Sequence, residues 1–431
     1  MLIVAAAVTI GLAMSGCGSS SPSGGTANQT VGGAITYSFW GNPARAEKVN
    51  KVIGLFQTQE PSATVTPEVA DYNSYIERLT VRAAGGQLPC VLGTQSTFYS
   101  TYASKHILMP LDDLIKSGQI DTSNIPQTIL EAGKVDGKQY MIPTGTFSRL
   151  MGYNADLVKA SGVKPPTNDM TWKEYADWLK ELQPHLPAGV KASEIEGPIM
   201  FSFTSWVIAH GQEMFKEGKL GFSKELMQEW FQYWIDLTKA GVTTPPANIP
   251  DQTAVLELSP MALGNAVAGT RDIPNFAVIQ KTLQGANKPS TIELISLPAE
   301  ESNKSANVLG ANGLSIPANC NNVATAASFI NYFTNSPEAA TAFQSDNGIV
   351  TNTKSQESLV GNKDIPDAVK KNISVFQKLT STNDLTTSTY PDGYQSLATE
   401  LSRQYQAAAF GQLSVADAVD QFFNKAATTL K

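Results

Sequence analysis

An α/β fold built on a largely parallel sheet is predicted by three observations. Strand-like and helix-like segments alternate in a β-α-β-α-β order over residues 35–92. The first two helical stretches stop at Pro61 and at Gly85-Gly86, where helices end. The chain is 431 residues long with 42% hydrophobic residues, enough for a sizeable core and, at that length, more in keeping with two domains than one. In such sheets the ligand crevice lies beyond the carboxyl ends of the strands.

Ile35-Thr36-Tyr37-Ser38-Phe39 alternates apolar and polar side chains, as a strand with one covered face does. Trp40-Gly41-Asn42-Pro43 breaks it, and Val49, Val52, Ile53 and Phe56 then recur at helical spacing. Thr64 to Val69 reads as a second strand. Tyr72, Ile76, Leu79 and Ala83 mark a second helix, whose Gly85-Gly86 end suits a helix C-terminus, and Val91-Leu92 starts a third strand. Gly133 to Lys138 reads as a hairpin-like turn, Tyr140 to Pro143 as a short strand, Thr144 to Ser148 as a polar connection and Leu150 to Tyr153 as a further apolar stretch. Thr171-Trp172-Lys173-Glu174 has the capping-box pattern and starts a helix running through Trp178 toward Leu182. Leu226, Trp230, Tyr233, Trp234 and Leu237 share a helical face; these tryptophans, with Trp172 and Trp178, read as core. Gly310-Ala311-Asn312-Gly313 precedes Leu314 to Pro317 and a helix over residues 323–334, and Ser414 caps a final amphipathic helix.

Composition narrows the function classes. The net charge is −7 and no Lys/Arg cluster interleaves with aromatics, which argues against nucleic acid and anionic membrane surfaces as partners. His106, His185 and His210 are isolated, without metal-ligand spacing, and neither a G-x-x-x-x-G-K-[ST] loop nor a G-x-S-x-G motif occurs. No cofactor and no metal are expected. Met1 to Met14 form an uninterrupted apolar run too short to span a bilayer, and residues 1–16 have the dimensions of a signal peptide. Ser15-Gly16-Cys17 resembles the lipobox of bacterial lipoproteins, which implies a lipid on Cys17, and residues 17–33 read as a flexible Gly/Ser-rich linker. No later run of ~18 apolar residues follows, so the body is expected to be soluble. Cys90 and Cys320 are then left as an even pair in a compartment where disulfides form.

Three phrases, in order, carry a family resemblance: Asp136-Gly137-Lys138-Gln139-Tyr140-Met141-Ile142-Pro143; Gly152-Tyr153-Asn154-Ala155-Asp156-Leu157, followed by Ala160-Ser161-Gly162-Val163; and Ser336-Pro337-Glu338-Ala339-Ala340, followed by Asn347-Gly348-Ile349-Val350. From Ile35 to the carboxyl end the chain resembles the family 1 extracellular solute-binding proteins of ABC importers, the carbohydrate-binding group that includes maltose-binding protein. The resemblance implies a two-lobed periplasmic-binding-protein-like fold of type II, each lobe a mostly parallel sheet flanked by helices, with ligand held between the lobes. Three crossovers are implied near Thr144 to Arg149, Asn307 to Gly313 and Asn347 to Thr353. The N-lobe is then residues 34–145 plus 310–350, and the C-lobe residues 146–309 plus 351–431. The same family sheet sets the strand after the second crossover antiparallel to the third strand, which implies a Cys90–Cys320 disulfide worth ~4 kcal/mol. Partners implied are a small saccharide, the permease subunits of the importer and a lipid anchor on the outer face of the cytoplasmic membrane; a monomer is expected.

A sugar presents apolar C–H faces and a rim of hydroxyls, so its receptor needs flat aromatic surfaces with fixed planar donors and acceptors. Trp40, at the end of the first strand, is the first candidate, backed by Asn42; the alternative for Trp40 is packing against its lobe. Gln95 and Ser96 follow the third strand, and Gln95 stands where many relatives carry Asp; a plain turn role is the alternative. Thr146 and Phe147 lie at the first crossover. Phe203 and Trp206 occur in a segment without clear helix periodicity. Arg271 can fork to ring oxygens or make a surface ion pair. Asn312, Tyr390 and Tyr394 complete the set.

Within binding proteins, the rivals to a sugar are a polyamine, ferric iron and a phosphate ester such as glycerol phosphate, and the largely neutral, aromatic candidate list favours a neutral or weakly acidic saccharide. A secreted glycoside hydrolase is the enzyme alternative, but the adjacent acids Asp112-Asp113 read as a helix start rather than a catalytic pair. A binding protein and not an enzyme is the expectation.

Overall fold

A computed structural model describes residues 30–216, 218–249, 256–300, 307–381, 385–387 and 390–430; the expected signal segment, Cys17 and most of the linker lie outside them. β1 (Gly33–Trp40), α1 (Pro43–Gln59), β2 (Ala63–Ala70), α2 (Tyr72–Ala84) and β3 (Val91–Gln95) follow one another, and β1 pairs parallel with both β2 and β3. Asn42 and Asp71 cap the two helices by accepting from Arg45 N and Ser74 N. The short α3 (Tyr99–Ser104) comes next, and then a hairpin whose turn residues Asp136 and Gly137 both have positive φ.

β4 (Ile142–Asn154) differs from the expectation of a short strand, a polar connection and a separate apolar stretch. It is one unbroken strand of 13 residues. Its polar middle, Thr144 to Arg149, belongs to the ladder because β4 serves both lobes and passes the cleft between them.

Further along lie α4 (Trp172–Leu182), opened by the Thr171–Glu174 capping box, β5 (Lys191–Ser193), α5 (Met200–Ala209) and α6 (Lys224–Lys239). β6 (Ala266–Asp272), β7 (Ile292–Ile295), β8 (Asn307–Ser315), α7 (Val323–Asn335) and β9 (Ile349–Val350) follow, and the chain closes with α8 (Tyr394–Ala409) and α9 (Val415–Thr429).

The principal sheet runs β2-β1-β3-β8-β4-β6-β5. The outer pairs are parallel, and the strands that join the lobes are antiparallel: β8 against β3 and β4, β6 against β4. The amino half of β4 is paired with β8 and β9, and its carboxyl half with β6 and β7. The first and third crossovers touch at Gly145, where a Cβ would collide with the Asn347 carbonyl oxygen. Cys90, just before β3, and Cys320, just after β8, are joined by a disulfide with a Cα–Cα distance of 4.8 Å.

One apolar cluster fills the C-lobe and gathers Trp172, Trp178, Trp230 and Trp234 with Leu397, Tyr405 and Phe422 from the last two helices. Another holds Ile35, Val52, Phe56 and Phe329 in the N-lobe, and it is continuous with Phe276 and Ile279 across the hinge. Leu359, Ile373 and Phe376 belong to that second cluster. The stretch 353–379, expected on the C-lobe, therefore packs across the back of the hinge, where its apolar side chains meet the N-lobe core.

Candidate functional site

Two walls face each other across the cleft. On the N-lobe side the carboxyl ends of β1 and β3 meet the middle of β8, which brings Trp40, Gln95 and Asn312 together. Gln95 Nε2 donates to Asn312 Oδ1 (2.9 Å), while Gln95 Oε1 accepts from Thr97 Oγ1 (2.6 Å) and from the Tyr72 hydroxyl (3.2 Å). Asn312 Nδ2 donates to the Asn347 carbonyl (3.0 Å), so an amide chain links two strands to the third crossover. Trp40 is packed against its lobe and also borders a cavity. It packs on Tyr75 (5.5 Å between ring centroids) and edge-on to Tyr72 (5.7 Å), is 8% exposed, and lines a cavity of about 180 Å³ with Gln95, Phe147, Asp272 and Asn312.

The C-lobe wall is aromatic around one charge pair. Phe201, in the first turn of α5, meets Phe147 (5.9 Å), Tyr390 (6.0 Å) and Tyr394 (6.4 Å). The Arg149 guanidinium lies 5.7 Å from the Phe201 centroid, and its Nη1 donates to Thr270 Oγ1 (3.3 Å). Arg149 Nε is 3.9 Å from Asp272 Oδ1. Neither atom has a hydrogen-bond partner, nor do the buried hydroxyls of Tyr390 and Tyr394. Buried polar atoms are nearly always bonded, because leaving one unpaired costs about 1–3 kcal/mol. Burial raises the Asp272 carboxyl above its ordinary range against the opposing pull of Arg149 and Arg271, and it pushes both tyrosine hydroxyls up.

Other expected residues lie elsewhere. Asn42 is committed to capping α1, and Ser96 exchanges backbone and hydroxyl hydrogen bonds with Ala311. Thr146 is buried and donates to the Ile349 carbonyl (3.2 Å), tying two crossovers together. Phe203 is fully buried against Phe222 and Trp230, and Trp206 packs among Trp172, Trp230 and Tyr233. Both belong to the core because α5 is a regular helix, enclosed nearly all round, which is why its sequence shows no amphipathic period. Arg271 is buried too: its Nη2 pairs with Glu194 and its Nη1 donates to the Thr270 carbonyl (2.6 Å). Strand alternation turns Arg271 into the lobe and the next residue, Asp272, toward the cleft.

Arg149, Phe201 and Asp272 were missed by the sequence reading; the alternation along Thr270-Arg271-Asp272 carried the signal for the last. The acids Asp112 and Asp113 occupy the first turn of a short helix, Asp112–Lys116. Among the described residues no group of three or more His, Cys, Asp or Glu side chains is placed to hold a metal, and no helix is long and apolar enough to cross a membrane.

The lobes also touch beyond the cleft. Ser100 Oγ donates to the Tyr390 carbonyl (2.7 Å), Thr101 Oγ1 to Asp392 Oδ1 (3.0 Å), and Lys105 Nζ lies 3.2 Å from Asp392 Oδ2. A larger opening of about 1020 Å³ continues from Gln95, Phe201 and Tyr394 along α8.

A two-lobed α/β body with a cleft at its shared strands matches the family of bacterial extracellular solute-binding proteins over residues 51–377, most of the chain. The chain belongs to that family. This solute-binding protein is therefore of a transport class that works outside the cytoplasm. Its fold is shared with solved structures of low sequence identity. A family 1 extracellular solute-binding protein from Alicyclobacillus acidocaldarius is 20% identical, with a TM-score of 0.72 over 94% of this chain and 100% of its own. The ABC substrate-binding protein of Listeria monocytogenes in complex with cycloalternan is 19% identical, with a TM-score of 0.75 over 92% and 98%. A periplasmic oligogalacturonide-binding protein of Yersinia enterocolitica in complex with digalacturonic acid is 19% identical, with a TM-score of 0.77 over 92% and 98%.

Proposed function

We propose that this solute-binding protein captures a saccharide between its lobes and delivers it to the permease of an ABC importer. One observation carries the reading: Arg149 Nε, Asp272 Oδ1 and the hydroxyls of Tyr390 and Tyr394 are buried without partners beside Phe147 and Phe201. Hydroxyls of a sugar satisfy such atoms, and its C–H face suits the rings. Arg149 is countered by Asp272, so a strongly charged ligand such as a polyamine or a phosphate ester gains little there. Two relatives of the same fold are described with oligosaccharides bound, which agrees with this ligand class.

Ligand touching both walls favours the closed arrangement by its differential affinity for it, and the permease then distinguishes loaded from empty receptor. The chain itself breaks no bond. Export through residues 1–16 and a lipid on Cys17 tether the receptor at the outer face of the cytoplasmic membrane.

A thermal-shift screen against mono- and oligosaccharides, polyamines and glycerol phosphates tests the reading. A saccharide raises the midpoint, and the shift disappears in Asp272→Ala. A shift by polyamine or glycerol phosphate alone, or turnover of a glycoside by the purified protein, overturns it.

A further inference from the structure

We infer that Glu196, buried behind the C-lobe wall, is a positioning residue: through Thr270 it sets the direction of the Arg149 guanidinium. The inference rests on the saccharide reading for what Arg149 binds, and adds the group that aims it.

Glu196 is 1% exposed and lies between β5 and α5. Its Oε1 accepts from the Thr270 N–H (2.9 Å), and its Oε2 accepts from Thr270 Oγ1 (2.5 Å) and from Ser202 Oγ (2.8 Å). The two hydroxyl oxygens are 3.0 Å apart. Each hydroxyl carries a single hydrogen. Whether the hydroxyls bond each other or only the carboxylate, both hydrogens are used inside the triangle of Glu196 Oε2, Ser202 Oγ and Thr270 Oγ1. Thr270 Oγ1 therefore turns lone pairs alone toward Arg149 Nη1, 3.3 Å away, and can only accept from it.

The same carboxylate reaches the other support of Arg149. Ser202 follows Phe201 in α5, and the Phe201 ring centroid lies 5.7 Å from the guanidinium. Thr270 is diagonal to Arg149 across the β4–β6 ladder, and its backbone is held on both sides, the N–H by Glu196 and the carbonyl by Arg271 Nη1 (2.6 Å). One acid thus ties α5 to β6 where each meets Arg149. Arg271 Nη1, 3.8 Å from Glu196 Oε1, offsets the buried charge. Apolar residues in place of a buried ion pair are often as stable, so stability alone gives no reason for an acid here, whereas orientation does.

The test is arginine side-chain NMR on the ligand-free protein, with Arg149→Lys identifying the signals. A guanidinium held at Nη1 rotates slowly about its Cζ–Nε bond and shows separate Nη signals. These are expected in the native protein, lost in Thr270→Val, and kept in Thr270→Ser, which retains the hydroxyl. Glu196→Gln is nearly isosteric but sets an amide donor against hydroxyl donors; the Thr270 hydrogen then turns toward Arg149, and the Nη signals merge. Glu194→Gln is the control, because that equally buried carboxylate bonds Arg271 and the Met261 N–H, so the separation survives. Calorimetry with the saccharide that gives the largest thermal shift is expected to show binding weakened roughly 2- to 10-fold in Glu196→Gln and in Thr270→Val, with the double variant no weaker than either single one. Separate Nη signals persisting in Glu196→Gln or Thr270→Val, their loss in Glu194→Gln as well, or additive losses of affinity overturn the inference. Merged signals as expected, with no saccharide bound by the native protein, overturn the saccharide reading and leave Glu196 aiming Arg149.

Discussion

Arg149 stands directly across the β4–β6 ladder from Asp272, with Nε 3.9 Å from Oδ1 and no hydrogen bond between them. A closed ion pair in this position leaves nothing for a guest. Held slightly apart, the guanidinium and the carboxylate are, on the proposed reading, a donor and an acceptor for two neighbouring hydroxyls of the ligand. Thr270 fixes the arginine from behind, and Phe201 supports its planar face.

Asp272→Ala removes the acceptor and weakens saccharide binding by about 1.5–3 kcal/mol, roughly ten- to a hundredfold in Kd. Arg149→Lys also weakens binding, because a lysine cannot donate to Thr270 and to ligand in the same geometry. Calorimetry reads both, and a Kd unchanged in either variant contradicts the assignment.

The raised Asp272 carboxyl gives a pH signature with two opposite signs. Ligand needs the ionised form, so affinity falls as pH drops through a window above the ordinary carboxylate range. The ligand-free protein behaves in reverse: its native state holds a proton that the unfolded chain has already released, so stability from this group declines as pH rises through the same window. Titration calorimetry and denaturant melts across that window check both slopes, and Asp272→Asn should flatten each.

Asp392, between the wall residues Tyr390 and Tyr394 in sequence, joins the lobes through Thr101 and Lys105 with its side chain exposed. Asp392→Ala should shift the hinge toward open and lower affinity only a few-fold, since exposed pairs of this kind are worth about 0–1 kcal/mol. Small-angle scattering of the ligand-free variant should show a larger radius of gyration, while calorimetry shows the modest loss.

The Cys90–Cys320 disulfide lies within the N-lobe, where it staples β3 to the chain leaving β8. Reduction, or the double change to Ser, should lower stability by about 2–5 kcal/mol, read from denaturant melts. Ligand affinity below the transition should stay near its original value, because the bridge does not cross the hinge.

Local chemistry was the legible part. The first strands and helices, the Thr171–Glu174 box and the Ser414 cap declare themselves through side chains close in sequence to what they bind. β4 was harder to read, since its ladder partners come from segments far away in sequence and its polar middle looks like a loop. α5 hid for the opposite reason: enclosed nearly all round, it has no polar stripe, so nothing in the sequence separates Phe201, which meets Phe147 and Tyr390, from the core residues Phe203 and Trp206. Arg271 turns into the lobe while Asp272 borders the cavity, and only the phase of β6 tells which neighbour faces outward.

The connectivity of the sheet also dictates when the molecule can be finished. β3 takes its inner neighbour from β8, so the first lobe lacks its central strand until residues 307–315 have emerged. The covalent staple forms later still, once Cys320 is through. Under the proposed export from the amino end, the first lobe thus reaches the far side unable to lock early, which keeps the chain passable until residues 307–320 have arrived.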